Sequence, residues 1–190
     1  MSLSIESTLR GLGADGSAGA AVLDARRYIA AAPRHAVVAL RAAGAATWGD
    51  ADMRRIFSAA GFGPRPTGVR FGTDAIGLLR GFDEASTAGH HALVVNVDYR
   101  VPVLRIERGA GTLPVFLRTI HAAVFLDAGD AWIRRFDAAD LKLAAGFELS
   151  VDTIVGYALP VTFSAGGAWR RDPAGRDHGF AAFGRIGRAF

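Results

Sequence analysis

Taken at alternate positions, several stretches of the chain separate into an apolar set and a more polar set. In LVVNVDYRV (93–101) one set is Leu93, Val95, Val97, Tyr99 and Val101, and the other is Val94, Asn96, Asp98 and Arg100. In LKLAAGFELSV (141–151) Leu141, Leu143, Ala145, Phe147, Leu149 and Val151 oppose Lys142, Ala144, Gly146, Glu148 and Ser150. IVGYALPVTFSAGGAW (154–169) repeats the pattern with Val155, Tyr157, Leu159, Val161, Phe163 and Ala165, ending near Trp169. A period of two marks extended strands, because successive side chains leave a strand on opposite faces. The pattern predicts eight strands, at 3–10, 18–30, 35–47, 91–103, 120–132, 141–151, 154–169 and 179–190. Most run to roughly ten to thirteen residues, about twice the usual strand of a globular sheet. Tilted strands of about nine to eleven residues are what a bilayer core requires.

The connections alternate in length. AAPRH (31–35) and VDT (151–153) are short, whereas GLGADGS (11–17), IRRFDAAD (133–140) and RRDPAGRDH (170–178) are longer, and 48–90 is one very long connection. Outer-membrane barrels have this asymmetry, with short periplasmic turns and longer external loops. RIERGAGTLPVFLR (105–118) departs from it, being long on the short-turn side. A soluble antiparallel sheet with one wet face also alternates. Strand length, the many small residues, and Trp132 and Trp169 near strand ends favour the membrane reading.

Composition narrows the picture. With 190 residues the chain suits one domain, 1–190. A hydrophobic share of 51% and a mean hydropathy of +0.23 are high for a soluble domain, yet no window reaches the uninterrupted apolar length of a membrane-spanning helix. Basic residues exceed acidic ones by 22 to 18, but no stripe of Lys and Arg interleaved with aromatics points to nucleic acid. There is no cysteine, so disulfides and thiolate metal sites are excluded.

Candidate chemistry is sparse. GLGADG (11–16) fits the dinucleotide fingerprint G-x-G-x-x-G, with AGAAVLDARRYIAAA readable as its helix, but the following HAVVALRA lacks the terminal acid that would hold a ribose. A glycine-rich hairpin loop is the better reading. His35, His90, His91, His121 and His178 are scattered without metal-ligand spacing, no G-x-S-x-G elbow is present, and Glu107 and Glu148 have no defined partner in the sequence. The expectation is a protein that is not an enzyme and takes no cofactor or metal.

Four stretches in order, GLLRGFDE (77–84), NVDYRVPV (96–103), AVFLDAGDAW (123–132) and the terminal FGRIGRAF (183–190), resemble the C-terminal half of the bacterial surface antigen family of outer-membrane barrels. This is the family of BamA, TamA and the two-partner secretion transporters, and the resemblance spans residues 3–190. It implies that loop 48–90 folds into the barrel lumen and carries the family's R-G-F/Y tip at Arg80, Gly81 and Phe82. It also implies that Asp98 and Asp127 receive the arginine as a latch, and that Phe190 is the aromatic assembly signal. By the alternation Asp98 and Asp127 share the face opposite Val97, Tyr99, Val124 and Leu126, where a carboxylate avoids lipid and can form a charge-assisted pair. Arg188 stands where the family carries an apolar residue.

The fold expected is therefore all-β, an antiparallel transmembrane barrel segment of about eight strands. Because a closed eight-stranded barrel has room only for its own side chains, a lumenal loop of this length implies half of a barrel of about sixteen strands. The resemblance implies a bacterial outer-membrane location, contact with the lipid bilayer, and insertion or translocation of unfolded outer-membrane or secreted polypeptides. It also implies partner N-terminal strands and periplasmic domains, so that a C-terminal fragment or a mis-assigned start codon is expected. Two other readings stay open. One is a passive pore or membrane anchor for an upstream enzymatic or propeller domain, and the other is a soluble β-sheet binding protein.

Overall fold

A computed structural model of the chain describes residues 1–9, 11, 13, 15–33, 35–62, 74–83, 86–109, 111–175 and 177–187. The strands are β1 (Ser2–Thr8), β2 (Ala18–Ala31), β3 (Ala36–Gly49), β4 (Phe57–Ser58), β5 (Gly61–Phe62), β6 (Asp74–Ala75), β7 (Leu78–Leu79), β8 (His91–Gly109), β9 (Val115–Trp132), β10 (Lys142–Val155), β11 (Leu159–Arg171) and β12 (Gly179–Gly187). Eight of them form one antiparallel sheet in the order β1-β2-β3-β8-β9-β10-β11-β12, so every neighbour in the sheet follows its partner along the chain. The protein is all-β, as the period of two requires. Strands β1 and β12 end the order, and each has a single neighbour among the described residues.

The long connection folds back onto one face of this sheet through two small pairs, β4 with β6 and β5 with β7. It adds a bridge between Phe57 and Gly89. Two apolar clusters seat it. Phe57, Ala59 and Ile76 pack on Ala20, Ala45, Ala92 and Val94, while Ala60, Leu79 and Phe82 pack on Phe125, Ala144, Ala168 and Phe183. Within the connection itself the chain runs so close that a Cβ at Gly77 would lie 1.7 Å from the carbonyl oxygen of Ala59.

The polarity of the two faces is inverted relative to a water-soluble sheet. On the covered face Asn96, Asp98, Asp127, Lys142, Glu148 and Ser164 are buried, whereas on the other face Val97, Val124, Leu126, Phe147, Trp169 and Ile186 are exposed. The strand periodicity is thus real, but the apolar set faces outward.

Three boundaries differ from those read in the sequence. The 105–118 connection is mostly strand, since β8 continues to Gly109 and β9 begins at Val115, which leaves a turn of ordinary length. β-Bulges between Pro102 and Leu104 and between Arg105 and Arg108 shift the alternation there and hide the strand. The turn expected at 151–153 lies instead between Val155 and Leu159, where Gly156 and Tyr157 have positive φ and the Gly156 N–H donates to the Pro114 carbonyl. Asp152 reads as a turn residue in sequence but is a strand residue that accepts from Thr162 Oγ1 and faces His121 Nε2. The AGAAVLDARRYIAA segment is β2 of a hairpin with β1 and not a helix, which disposes of the dinucleotide fingerprint.

Candidate functional site

The loop presents its tip to the middle of the sheet at Arg80, directly after β7. Arg80 is 1% exposed, and so is Phe82. Gly81 carries a φ of +85°, a left-handed conformation that glycine adopts without cost, and a Cβ on it would lie 2.8 Å from the Ala168 side chain. Phe82 then enters the second apolar cluster, with Lys142 and Arg170 5.9 and 5.8 Å from its ring.

Register places the acidic partners. Asp127 of β9 lies opposite Asn96 of β8 and Ala144 of β10, and Asp98 of β8 lies opposite Phe125, so the two carboxylates share one face two rungs apart. Arg80 donates to both oxygens of Asp127, through Nε at 2.8 Å and Nη2 at 2.7 Å, while its backbone N–H reaches the same carboxylate at 3.1 Å. Nη2 also donates to Asp98. The guanidinium carbon sits 3.6 Å from the centre of the Phe125 ring, so the cation is covered by an aromatic face as well as by acids. The structure therefore brings together Arg80, Gly81, Phe82, Asp98 and Asp127. Phe190, the remaining residue singled out in the sequence, lies outside the described residues.

Further residues complete the site that the sequence reading left out. Glu148 of β10 has a partner after all: Arg185 of β12 donates to it at 2.6 Å, Ser150 at 3.0 Å, and Arg80 Nη1 stands 3.6 Å from its other oxygen. Arg100 donates to the second oxygen of Asp98. Three guanidinium groups, Arg80, Arg100 and Arg185, thus meet three carboxylates, Asp98, Asp127 and Glu148, so the charges balance, with Arg80 and the carboxylates buried, Arg185 half-buried and Arg100 reaching solvent. Balance matters, because an unmatched charge in a covered site carries a desolvation penalty of several kcal/mol.

The loop backbone is held as firmly as its arginine. Arg41 donates to the Ile76 carbonyl at 2.7 Å, Asn96 to the Leu78 carbonyl at 2.5 Å, and Arg170 to the Gly81 carbonyl at 3.0 Å. Arg41 is itself fixed by Asp24, and Asn96 donates to Asp127 at 2.8 Å. Side chains of β3, β8, β9 and β11 accordingly bind four backbone groups of the tip, the Ile76, Leu78 and Gly81 carbonyls and the Arg80 N–H. The inward parity of Asn96 and Glu148 was visible in the alternation, but their partners come from strands and a loop far away in sequence.

Among the described residues no group of His, Asp and Glu is arranged to hold a metal ion. The arrangement is a fastening: it fixes a cation and a stretch of loop backbone against the sheet. No family model, no curated protein and no solved structure matches the chain.

Proposed function

We propose that the chain is part of an outer-membrane β-barrel of the polypeptide assembly and translocation type, with the 48–90 loop seated in the lumen and latched by Arg80. The observation that carries this reading is the inverted polarity of the sheet. Its exposed face is an apolar band suited to lipid, and its covered face holds an ionic site that would be prohibitive against lipid. A soluble sheet would place these faces the other way round.

The latch supplies the mechanism. A loop held only by apolar packing could slide along the wall, whereas a bidentate guanidinium pair together with four backbone hydrogen bonds defines one position. A loop fixed in this way shapes the passage through the barrel and braces the wall of strands against which a moving polypeptide is handled. Among the described residues β1 and β12 each have one sheet neighbour, which supports a place within a larger closed barrel, since open edges do not survive in hydrocarbon.

Membrane extraction combined with complementation tests the proposal. The chain, expressed with whatever its gene encodes upstream, is expected to stay with outer membranes through alkaline carbonate and to need detergent for release. Arg80→Ala is expected to impair assembly or secretion of client polypeptides. Release without detergent would leave a soluble sheet protein, and full activity of Arg80→Ala in a membrane-bound protein would leave a passive pore or anchor.

A further inference from the structure

The two ends of the sheet differ in charge. The end with the long connections carries both signs, Asp50, Asp52, Asp137, Asp140 and Asp172 beside Arg54, Arg55, Arg134, Arg135 and Arg171. The opposite end carries exposed Arg105, Arg108 and Arg118 on the β8–β9 hairpin, with Glu107 as the neighbouring acid on that hairpin. These three arginines make no ion pair or hydrogen bond among the described residues, whereas Arg26, Arg41, Arg80, Arg100, Arg170 and Arg185 each face a carboxylate.

The same hairpin is apolar where it is most exposed. The last partner of β8 on β3 is Arg100, opposite Val37, and β8 then continues through Gly109 beyond the β2–β3 turn. Val103 and Leu104 on this extension and Leu113 at the tip are more than half exposed, and Tyr157 on the adjacent turn is 88% exposed. A cleft of about 310 Å³ lies between Leu113 and Tyr157, walled also by Pro114, Phe116 and Ile154.

We propose that this end of the sheet is a docking surface for anionic phospholipid headgroups. This proposal rests on the membrane reading above. Arg105, Arg108 and Arg118 take the phosphates, for which the guanidinium fork is well shaped, while Val103, Leu104, Leu113 and Tyr157 enter the interfacial layer. The apolar cleft receives the first carbons of an acyl chain. Apolar and aromatic side chains beside unpaired arginines are the composition that binds anionic bilayer surfaces. A partner polypeptide adding a strand fits this hairpin poorly. The free edge of β8 contains Pro102, two bulges and charged side chains, the features that blunt a sheet edge against pairing.

The test dilutes the full chain from urea into preformed vesicles and measures flotation at low salt. One set of vesicles is phosphatidylcholine alone, and the other is equal parts phosphatidylcholine and phosphatidylglycerol. The wild-type chain is expected to partition more strongly into the anionic vesicles, by a ratio that falls with added salt. Replacing Arg105, Arg108 and Arg118 by Gln should abolish that preference, on the order of fivefold per arginine at low salt. Replacing Arg134, Arg135 and Arg171 by Gln at the other end should leave it intact. Equal loss in both triple variants, or a preference that survives in the first, overturns the docking surface while the membrane reading stands. Failure of the wild-type chain to float with either kind of vesicle overturns the docking surface, while the membrane reading, which places the eight strands beside partner strands, is decided by the extraction test above.

Discussion

Arg80 and Asp127 meet side-on, with Nε and Nη2 of the guanidinium 2.8 and 2.7 Å from the two carboxylate oxygens, although 47 residues separate them in the chain. The pair is buried on both sides, so neither charge has water to fall back on. Arg80→Ala leaves Asp98 and Asp127 without their main counter-charge, a loss of about 3–5 kcal/mol for a buried pair broken on one side. The loop should then lift from the sheet. Limited proteolysis should cut 48–90 faster in Arg80→Ala, whereas Arg134→Ala, in an exposed connection, should cut at the wild-type rate. Arg80→Lys should fall between them, because an ammonium cannot span both oxygens.

The second prediction concerns which face meets lipid. Val124 and Phe147 are each 57% exposed on the apolar face near the middle of β9 and β10. Val124→Arg or Phe147→Arg should destabilise the membrane-embedded protein by roughly 2–4 kcal/mol near the bilayer midplane. Ser150→Arg, on the covered face beside Glu148, should cost far less. Denaturant titration in detergent micelles gives the ranking, and a reversed order would exchange inside and outside.

Closure of the sheet is open to a direct experiment. With β1 and β12 each bonded to a single neighbour among the described residues, the purified chain should associate through these edges in detergent and should lack the heat-modifiable mobility of a closed monomeric barrel. Amide exchange should be fast along the outer edge of β1 and slow in β8 and β9. A stable monomer whose β1 and β12 exchange slowly would mean that the eight strands close on themselves.

Acid stability should report the clamp at the rim. Asp172, just beyond β11, is buried and lies 2.6 Å from the Lys142 ammonium. Burial alone would raise its pKa, but the hydrogen bond and charge of Lys142, with backbone N–H groups of Ala174 and Asp177, hold it below the ordinary value of 3.8. A carboxylate depressed in the folded state contributes stability above its unfolded pKa, and that contribution is lost as the pH falls through the folded value. Wild-type protein should therefore lose stability below about pH 4 in part through this group. Asp172→Asn should be less stable at neutral pH and show a shallower acid decline, as read from melting temperature against pH.

The alternation of side chains along 93–101 and 141–151 was enough to establish strands, because a period of two is a local property of an extended backbone. It also put Asp98, Asp127 and Glu148 on the same kind of face before any strand was paired. Strand ends were less legible. Bulges near Pro102 and Arg105 shift the alternation, and the turn lies at Gly156 and Tyr157, whereas Asp152 and Thr153, the polar pair that reads as a turn, are strand residues. The meeting of Arg80 with the two aspartates was expected from a resemblance and not from spacing, since nothing local relates a loop tip to rungs of distant strands. Arg41, Arg170 and Arg185 entered the site only through the tertiary structure. Each lies on a strand of its own, and only sheet register and the return of the loop bring them to the carbonyls and carboxylates that they satisfy. Periodicity specifies which way a side chain points, but what it meets there is decided by register, because every strand offers the same alternation to its neighbours.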